Sequence, residues 1–370
     1  MQTETRYVYN NVIDMEDKRR MKLEEAISRV KPLDEQAMAV ARKRWDSIAK
    51  PLHSLGKLET LVIQIAGITG TSEVDISRRA LIPMCADNGV VEEGVTQTGQ
   101  EVTAIVADNF LKGITTACVM ARQCNVDVIP VDVGIAVNTQ VRTDLKVACG
   151  TKNMTKGPAM TREEAIRGIE SGIQIVCELR EKGYNIFATG EMGIGNTTTS
   201  SAVASVLLGQ PVEKMTGRGA GLSSEGLERK INAIKKAIEL NKPNPEDPVD
   251  VLAKVGGLDI AGMVGIFLGG AALGMPVLMD GFISCVAAII AVKLCPKATD
   301  YILASHVSKE PAARLVLEHL GKDAVIHGDM CLGEGTGAVA LLPLLDMAVK
   351  VYSSMSTFGD IEIDSYEELK

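Results

Sequence analysis

The sequence predicts an α/β fold in which a parallel sheet carries helices on both faces. From about residue 80 onward, short apolar runs alternate with longer helical patterns, which is typical of parallel sheets. Aromatic residues make up only 3% of the chain, whereas glycine occurs 35 times, as in proteins whose helices pack closely on a sheet. At 370 residues, the chain is long enough for one large domain or two modest ones.

The predicted elements follow in order along the chain. Two charged, amphipathic stretches separated by Pro32 predict helices within residues 1–70. Apolar runs predict strands at 79–86, 126–133, 184–190, 275–281 and 300–305. Helical patterns lie near 101–123, 161–182, 197–208, 223–240, 258–273, 281–294 and 309–320. Segment 241–250 predicts a loop, because it contains three Pro and two Asn.

Composition and charge exclude several classes of function. A net charge of −8 without an evident basic face argues against general nucleic-acid binding. We find no apolar run of the roughly 20 residues that a membrane span needs and no signal-peptide stretch, so we expect a cytoplasmic protein. The eight cysteines are scattered and predict mostly buried, free thiols. The four histidines lack metal-ligand spacing, so we predict no metal site.

Polar residues next to glycine follow four of the predicted strands. They are Asp87-Asn88-Gly89, Asp132-Val133-Gly134, Gly190-Glu191-Met192-Gly193 and Asp280-Gly281. Parallel sheets bind ligands beyond the carboxyl ends of their strands, and carboxylates there suit the hydroxyls of a sugar. Any one of these groups could instead cap a helix or form a tight turn. The four together favour a ligand cleft.

The segment GEMGIGNTTTSS, residues 190–201, has the glycine spacing of a P-loop but carries Asn196 in place of the lysine. A glycine-rich turn that enters a helix offers backbone N–H groups and a positive dipole end to a phosphate. Without the lysine, charge neutralisation is inadequate for a triphosphate, so we predict a monophosphate site. An ordinary strand, turn and capped helix is the alternative. The candidate donors are Gly193, Gly195, Asn196 and Thr197.

A second glycine-rich segment, TGRGAGLSSEGLERK, covers residues 216–230. Glycines alternate at its start, and Gly219 is a candidate for close approach to a ligand. Lys230, on the helix that follows, is a candidate counter-charge for a phosphate. Spaced glycines are common at turns, so this motif by itself is weak.

A third segment, LGEGTGAVALLPLL, covers residues 332–345 and places Glu334 between two glycines. A carboxylate with such neighbours is sterically open, which suits a group that touches a substrate. Alternatively, Glu334 complements the dipole of the apolar helix that follows, an effect of about 0.3–1 kcal/mol. The spacing leaves these two interpretations open.

Five segments occur in the order found in one known family. They are ADNGVVEEGV, GEMGIGNTTTSSAV, KVGGLDIAGM, PVLMDGFIS and LGEGTGA. Together they resemble the CobT family, the nicotinate-nucleotide–dimethylbenzimidazole phosphoribosyltransferases, and the similarity runs from Lys31 to the final helix. Each motif alone is modest, but five in one order are highly specific.

The resemblance implies a doubly wound, Rossmann-like sheet with a small helical domain formed by both chain ends. It therefore implies N-terminal helices in 1–75, a large α/β domain in 76–330, and a catalytic loop and helix in 331–370. The implied reaction moves the ribose phosphate of nicotinate mononucleotide to a lower-ligand base, giving an α-ribotide and nicotinate for cobamide assembly. The implied assembly is a dimer, and no metal or other cofactor is implied.

The resemblance also assigns roles to residues. It makes Glu334 the catalytic base and places Glu191, Gly193 and Lys230 at the phosphate. Because positive charge builds on the ribose during such a displacement, we add two acids as candidates for its stabilisation, with no position assigned to them. These acids are Asp259 and Asp280.

The acceptor pocket departs from the family pattern. Thr98 and Val106 stand where the best-known form has a serine and a glutamine, Asn88 replaces a histidine, and Cys331 replaces a common arginine. This less polar pocket leaves alternatives open: a subunit of a heterodimeric phenol or p-cresol phosphoribosyltransferase, or a catalytically silent homologue; a P-loop kinase is a distant third. The predicted acceptor pocket consists of Asp87, Asn88, Thr98, Val106 and Leu332.

Overall fold

The structure is a computed structural model that describes residues 20–366. The predicted helical content of residues 1–19 lies outside the described residues. Within the described part, six strands form one sheet. They are β1 Arg79–Ala86, β2 Val126–Val128, β3 Val131–Gly134, β4 Ile186–Met192, β5 Val277–Met279 and β6 Ile302–Ala304.

All strand pairs are parallel, in the order β2-β1-β4-β5-β6, and β3 also pairs with β1. Every residue of β1 is buried, as expected for a strand covered on both faces. The chain runs from β1 to one edge of the sheet and returns on the other side of β1 as β4. This reversal creates a crevice at the carboxyl ends of β1 and β4. The α/β, doubly wound prediction is confirmed.

The predicted strand 126–133 is two short strands in the structure. Pro130 separates β2 from β3, and a proline cannot donate a ladder hydrogen bond. The two pieces pair with successive parts of β1, because Leu81 lies opposite Val128 and Met84 lies opposite Val131. The apolar pattern identified the strand correctly but could not reveal the interruption.

The α-helices of the described residues surround this sheet. They are α1 Leu23–Arg29, α2 Glu35–Ser47, α3 Lys57–Thr69, α4 Glu101–Leu111, α5 Thr116–Gln123, α6 Arg162–Glu181, α7 Asn196–Leu207, α8 Val212–Met215, α9 Ser224–Asn241, α10 Pro248–Val255, α11 Leu258–Ala272, α12 Phe282–Leu294, α13 Ala313–His319 and α14 Thr336–Ser354.

Two of the sequence-based boundaries are wrong. The helix predicted near 101–123 is broken between α4 and α5, where Gly113 adopts a positive φ of 69° and Thr115 caps α5 by accepting from the Cys118 N–H. The loop predicted at 241–250 ends early, because Pro248 is the first residue of α10. Asp247 caps that helix, and proline at the first helical position needs no hydrogen-bond partner for its nitrogen.

Helices α6 and α11 meet backbone to backbone. A Cβ atom at Gly172 of α6 would lie 1.9 Å from the Gly262 carbonyl oxygen of α11. A Cβ atom at Gly265 would lie 1.9 Å from the Ile169 carbonyl oxygen. Any side chain at these positions would force the helices apart, so the glycine-rich composition has a direct structural purpose here.

A second apolar cluster joins the two ends of the chain. It brings α2 and α3 against the carboxyl-terminal half of α14, and the rings of Trp45 and Tyr352 lie 5.2 Å apart. The cluster supports the predicted small domain, whose boundaries stay a prediction. Its buried members are Ala41, Trp45, Ile48, Val62, Ala66, Ala348 and Tyr352.

Two apolar stretches among the described residues are comparable in length with a membrane span. By length and composition alone, residues 101–123 and 336–354 would suffice to cross a membrane, so the statement that no such run exists is wrong. The first stretch is interrupted between α4 and α5, and about half of each lies buried inside the protein (44% and 50%). The core helix of a soluble protein passes the same test, so these stretches are weak grounds for a membrane span.

All eight cysteines are free thiols, as predicted. Five of them are buried, whereas Cys149 and Cys331 are exposed and Cys177 is partly exposed. Burial raises the pKa of Cys85 and Cys285 well above the usual range, so these two thiols are unreactive core residues.

Candidate active site

A cavity of about 230 Å³ lies at the carboxyl edge of the sheet. Segments from well-separated parts of the chain meet there because parallel strands deliver their following loops to one edge. The lining falls within residues 95–98, 191–197, 218–222, 280–284, 306–310 and 331–334. All three glycine-rich motifs of the sequence therefore contribute to the same cavity.

The turn between β4 and α7 forms one wall of the cavity. Gly195 is the residue before α7 and adopts a positive φ of 94°, a conformation that favours glycine. The Asn196 N–H donates to the Gly193 carbonyl. Within residues 20–366, the N–H groups of Gly195 and Thr197 have no protein acceptor. Helix N-termini with free N–H groups bind anions.

Lys230 lies beside this turn and is almost completely buried, at 1% exposure. Its Nζ donates to the Thr197 Oγ1 at 2.8 Å and to the Gly217 carbonyl at 3.1 Å. Burial lowers the pKa of Lys230 to about 8, and the Glu310 carboxylate partly offsets that shift. An ammonium group held this way places a positive charge beside a turn that lacks the P-loop lysine.

Glu191, at the carboxyl end of β4, connects two of the loops. Its Oε1 accepts a hydrogen bond from the Glu334 N–H at 3.2 Å, and its Oε2 accepts from the Asn196 side chain. Burial raises its pKa to about 8, and the nearby Asp259 carboxylate adds to that shift. Both oxygens are engaged by protein donors, so Glu191 links the turn before α7 to the loop that carries Glu334.

Glu334 has a left-handed backbone conformation, with a φ of 59°, which is uncommon for a residue other than glycine. Its Oε2 accepts a hydrogen bond from the Ala117 N–H, in the first turn of α5, at 3.2 Å. Burial raises the pKa of this half-buried carboxyl, whereas the hydrogen bonds from Ala117 and Thr115 lower it. A raised pKa makes the carboxylate a stronger base than an exposed glutamate.

Asp280 binds the backbone that directly follows Glu334. Its Oδ2 accepts from the Gly335 N–H at 3.2 Å, and its Oδ1 accepts from the Gly337 and Ala338 N–H groups at 2.8 and 3.1 Å. The His306 Nδ1 lies 4.0 Å from the Oδ1. Burial raises the pKa of Asp280, and His306 lowers it. The carboxylate therefore caps α14 and sets the position of Glu334.

Known proteins are similar to this chain over most of its length. A family model described as Phosphoribosyltransferase matches residues 30–363. A nicotinate-nucleotide–dimethylbenzimidazole phosphoribosyltransferase from Ruminiclostridium cellulolyticum is 51% identical over 352 residues, covering 95% of this chain and 100% of the relative. A protein of the same name from Clostridium acetobutylicum is 48% identical, with the same coverage.

The chain belongs to the nicotinate-nucleotide–dimethylbenzimidazole phosphoribosyltransferase family. The crystal structure of CobT from Thermus thermophilus aligns with a TM-score of 0.84 and 37% identity. That alignment covers 90% of this chain and 100% of the Thermus chain. The resemblance read from the five sequence motifs is confirmed, and the protein is a phosphoribosyltransferase.

The cavity of this phosphoribosyltransferase brings together most of the predicted site residues. The predicted residues that line it are Glu191, Gly193, Gly195, Asn196, Thr197, Thr98, Gly219, Asp280, Leu332 and Glu334. Lys230 lies directly behind Thr197. Their individual roles stay predictions.

Four predicted residues lie away from the cavity surface. Asp259 is fully buried behind Gly193, and burial raises its pKa to about 6. Asn88 is also buried, and its Nδ2 lies 3.5 Å from the Asp259 Oδ2. Asp87 accepts from the Ala136 N–H at 2.8 Å and is likewise buried. Val106 packs against the core from α4. None of these four residues is part of the cavity lining.

Sequence reasoning missed a fifth polar strand end. His306, Ser308 and Glu310 follow β6 at every second position, and all three line the cavity. Alternation in extended chain places such residues on one face, so the segment SHVSKEP carried a usable signal. Among residues 20–366, no group of three or more His, Cys, Asp or Glu side chains could hold a metal ion.

Proposed function

We propose that this enzyme transfers the phosphoribosyl group of nicotinate mononucleotide to 5,6-dimethylbenzimidazole or a related lower-ligand base. The products are an α-ribotide and nicotinate, and the ribotide serves cobamide assembly. The observation that supports this most strongly is the position of Glu334. Its half-buried carboxylate lines the same cavity as the anion-binding turn of α7, in a chain 51% identical to an enzyme named for this reaction.

The phosphate of the donor substrate would bind at the N-terminus of α7. The N–H groups of Gly195 and Thr197 have no protein acceptor among residues 20–366, and the ammonium of Lys230 lies next to Thr197. One phosphoryl group matches this donor set. The absence of a P-loop lysine at Asn196 is therefore consistent with a mononucleotide substrate.

The chemistry needs a base more than an acid. Nicotinate is bonded to C1′ as a cationic pyridinium, so it departs with the bonding electron pair and becomes neutral at nitrogen without being protonated. One ring nitrogen of the benzimidazole attacks C1′ from the opposite face, which inverts the β configuration to α. The other ring nitrogen loses its proton, and Glu334 accepts it. Proton transfer of this kind accelerates a reaction by about 10²–10⁴-fold.

The acceptor would lie between residues 95–98 and the loop that carries Glu334. Leu332 is exposed in this loop, and Phe282 and Ile283 add apolar surface to the cavity wall. A flat aromatic base suits such a lining. The names of the relatives from Ruminiclostridium cellulolyticum, Clostridium acetobutylicum and Acetivibrio thermocellus support a benzimidazole acceptor.

A competition experiment tests this proposal. Equal amounts of 5,6-dimethylbenzimidazole and p-cresol are supplied with nicotinate mononucleotide, and the products are separated by chromatography. We expect the benzimidazole ribotide to dominate. Exclusive formation of the cresol product would show that the acceptor is a phenol and not a benzimidazole. The proposed reaction would be refuted if the enzyme released no nicotinate with either acceptor, both when the chain is assayed alone and when a second homologous chain is added.

We also propose a dimer in the cytoplasm. Exposed apolar side chains on α4, α5 and α14 support an interface, because a second chain would remove them from water. These side chains are Ile105, Val119 and Met347, with exposures of 55%, 49% and 56%. Light scattering of the purified chain tests the dimer: a monomer that turns over normally would contradict it, and a monomer active only with a related chain would indicate a heterodimer.

A further inference from the structure

His306 places an imidazole ring in the wall of the cavity, although only 4% of the residue is exposed. The ring lies between two glycines. A Cβ atom at Gly337 would lie 1.9 Å from its Nδ1, and a Cβ atom at Gly281 would lie 3.5 Å from its Nε2. Within residues 20–366, the Nε2 atom has no hydrogen-bond partner in the protein and is not enclosed by it, so this atom faces the cavity.

The neighbours of Nδ1 decide which ring nitrogen of His306 carries the hydrogen. The Ser305 hydroxyl donates its one hydrogen to the Met279 carbonyl at 2.6 Å, so it can only accept from the His306 Nδ1, which is 3.1 Å away. The Asp280 Oδ1 lies 4.0 Å from Nδ1, beyond hydrogen-bond distance. The neutral ring therefore has its hydrogen on Nδ1, and Nε2 presents a lone pair to the cavity.

A lone pair at this position accepts from a hydrogen-bond donor and repels an anion. Nicotinate mononucleotide carries two anionic groups, a phosphate and a carboxylate, and two donors, the hydroxyls of its ribose. The acceptor base carries one N–H, and Glu334 takes that proton in the proposed reaction. The carboxylate oxygens of Glu191 and Asp280 already bind protein donors. The ribose hydroxyls are therefore the substrate groups that suit the His306 Nε2.

We propose that the His306 Nε2 accepts a hydrogen bond from a ribose hydroxyl of nicotinate mononucleotide and so makes the enzyme prefer ribose to deoxyribose. This inference rests on the proposed function, because it takes nicotinate mononucleotide as the substrate. The preference arises because a deoxyribose in the cavity leaves a buried acceptor without a donor. A site built to hydrogen-bond a hydroxyl discriminates against the analogue that lacks it for this reason.

Analogues of the substrate test the proposal. We measure kcat/KM for nicotinate mononucleotide and for its 2′-deoxy and 3′-deoxy forms, with the wild type, His306→Asn and His306→Gln. An asparagine can still donate to Ser305 but has no atom at the position of Nε2, whereas a glutamine can bring its Oε1 there. We expect the wild type to disfavour one deoxy analogue about tenfold, His306→Asn to lose that preference and His306→Gln to keep part of it. The control His319→Asn, at an exposed position of α13, should keep the wild-type preference.

The ratio of kcat/KM values separates a substrate contact from a structural role. A deoxyribose also changes the intrinsic reactivity at C1′, but this change is common to all variants and cancels between them. If His306→Asn lowers kcat/KM for all three nucleotides by the same factor, or if the wild type favours ribose over neither analogue, the proposal is wrong. Calorimetric titration with the same nucleotides gives the corresponding ratios of affinity where a variant is too slow to assay.

The two proposals fail in different ways. A preference for ribose in binding that is lost in His306→Asn, without turnover by the wild type, would refute the proposed reaction alone. Normal turnover by the wild type, with a preference that persists in His306→Asn, would refute the His306 contact alone.

Discussion

Asp280→Asn should reduce turnover by disturbing the backbone that carries Glu334. The wild-type carboxylate accepts three backbone N–H groups, from Gly335, Gly337 and Ala338. An asparagine can accept at one atom only and presents an N–H₂ group at the other. In the orientation that keeps the bonds to Gly337 and Ala338, this N–H₂ group faces the Gly335 N–H, and two donors repel each other.

The size of the effect follows from the bond that is lost. A hydrogen bond to a charged group contributes about 1.5–3 kcal/mol. The left-handed backbone of Glu334 adds a strain of about 1–3 kcal/mol, which the surrounding structure must hold in place. If the free energy of the lost hydrogen bond alone is added to the barrier of the reaction, kcat falls by about ten- to one-hundred-fold, since about 1.4 kcal/mol corresponds to a factor of ten.

The assay measures kcat, KM for nicotinate mononucleotide and thermal unfolding for this variant and for Asp247→Asn. Asp247 is a suitable control because it also caps a helix, accepting from the Val249 and Asp250 N–H groups of α10, and lies outside the cavity lining. We expect both variants to lose some stability and only Asp280→Asn to lose kcat and shift the acidic limb of the pH–rate profile. Equal kcat values for the two variants would refute the positioning role.

Three further predictions concern the base, the phosphate site and the scaffold. Glu334→Gln should lower kcat by about 10²–10⁴-fold with little change in KM, and an unchanged kcat in the variant would assign the base elsewhere. Burial raises the pKa of this carboxyl, and the base must be ionised to accept a proton. Wild-type kcat should therefore fall with decreasing pH, and this fall should begin at a higher pH than the pKa of an ordinary glutamate would give. Lys230→Met should raise KM for nicotinate mononucleotide at least about tenfold, since a charge-assisted bond is lost. The control Lys235→Met, at a half-exposed position of the same helix, should leave KM unchanged. Equal KM values for the two variants would place the phosphate elsewhere. Gly172→Ala should lower the free energy of unfolding by about 1–3 kcal/mol, because the new methyl group meets a backbone carbonyl. The control Gly328→Ala, with ordinary contacts beyond 3.5 Å at its Cβ, should be nearly neutral. Equal stabilities of the two variants in denaturant titration would show that the α6–α11 contact can relax.

The fold could be predicted because its signals are local. The run RALIPMCA gave β1 with correct bounds, since a strand buried on both faces is continuously apolar. The break at Pro130 and the helix that begins at Pro248 were missed, because proline ends one element and begins another with the same local signal.

The site could be predicted only in part. Glycine-rich turns revealed the α7 N-terminus and the Glu334 loop, because the functional groups of these two segments lie next to the glycines in sequence. Asp280 was read as a candidate partner for the ribosyl cation, but its oxygens face α14, and the chain separation of 55 residues between it and Gly335 hides this contact from any local pattern. Glu310 was missed although it follows β6 in alternation with His306 and Ser308, a pattern that is visible in the sequence.

The backbone contact between α6 and α11 has a consequence for how this scaffold can diversify. Main-chain atoms of the two helices touch there without intervening side chains, so the distance between α6 and α11 cannot be adjusted by exchanging one side chain for another. Variation in the choice of aromatic acceptor must therefore arise in the outer loops, where Thr98 and Leu332 are open to solvent and exchangeable at little structural cost.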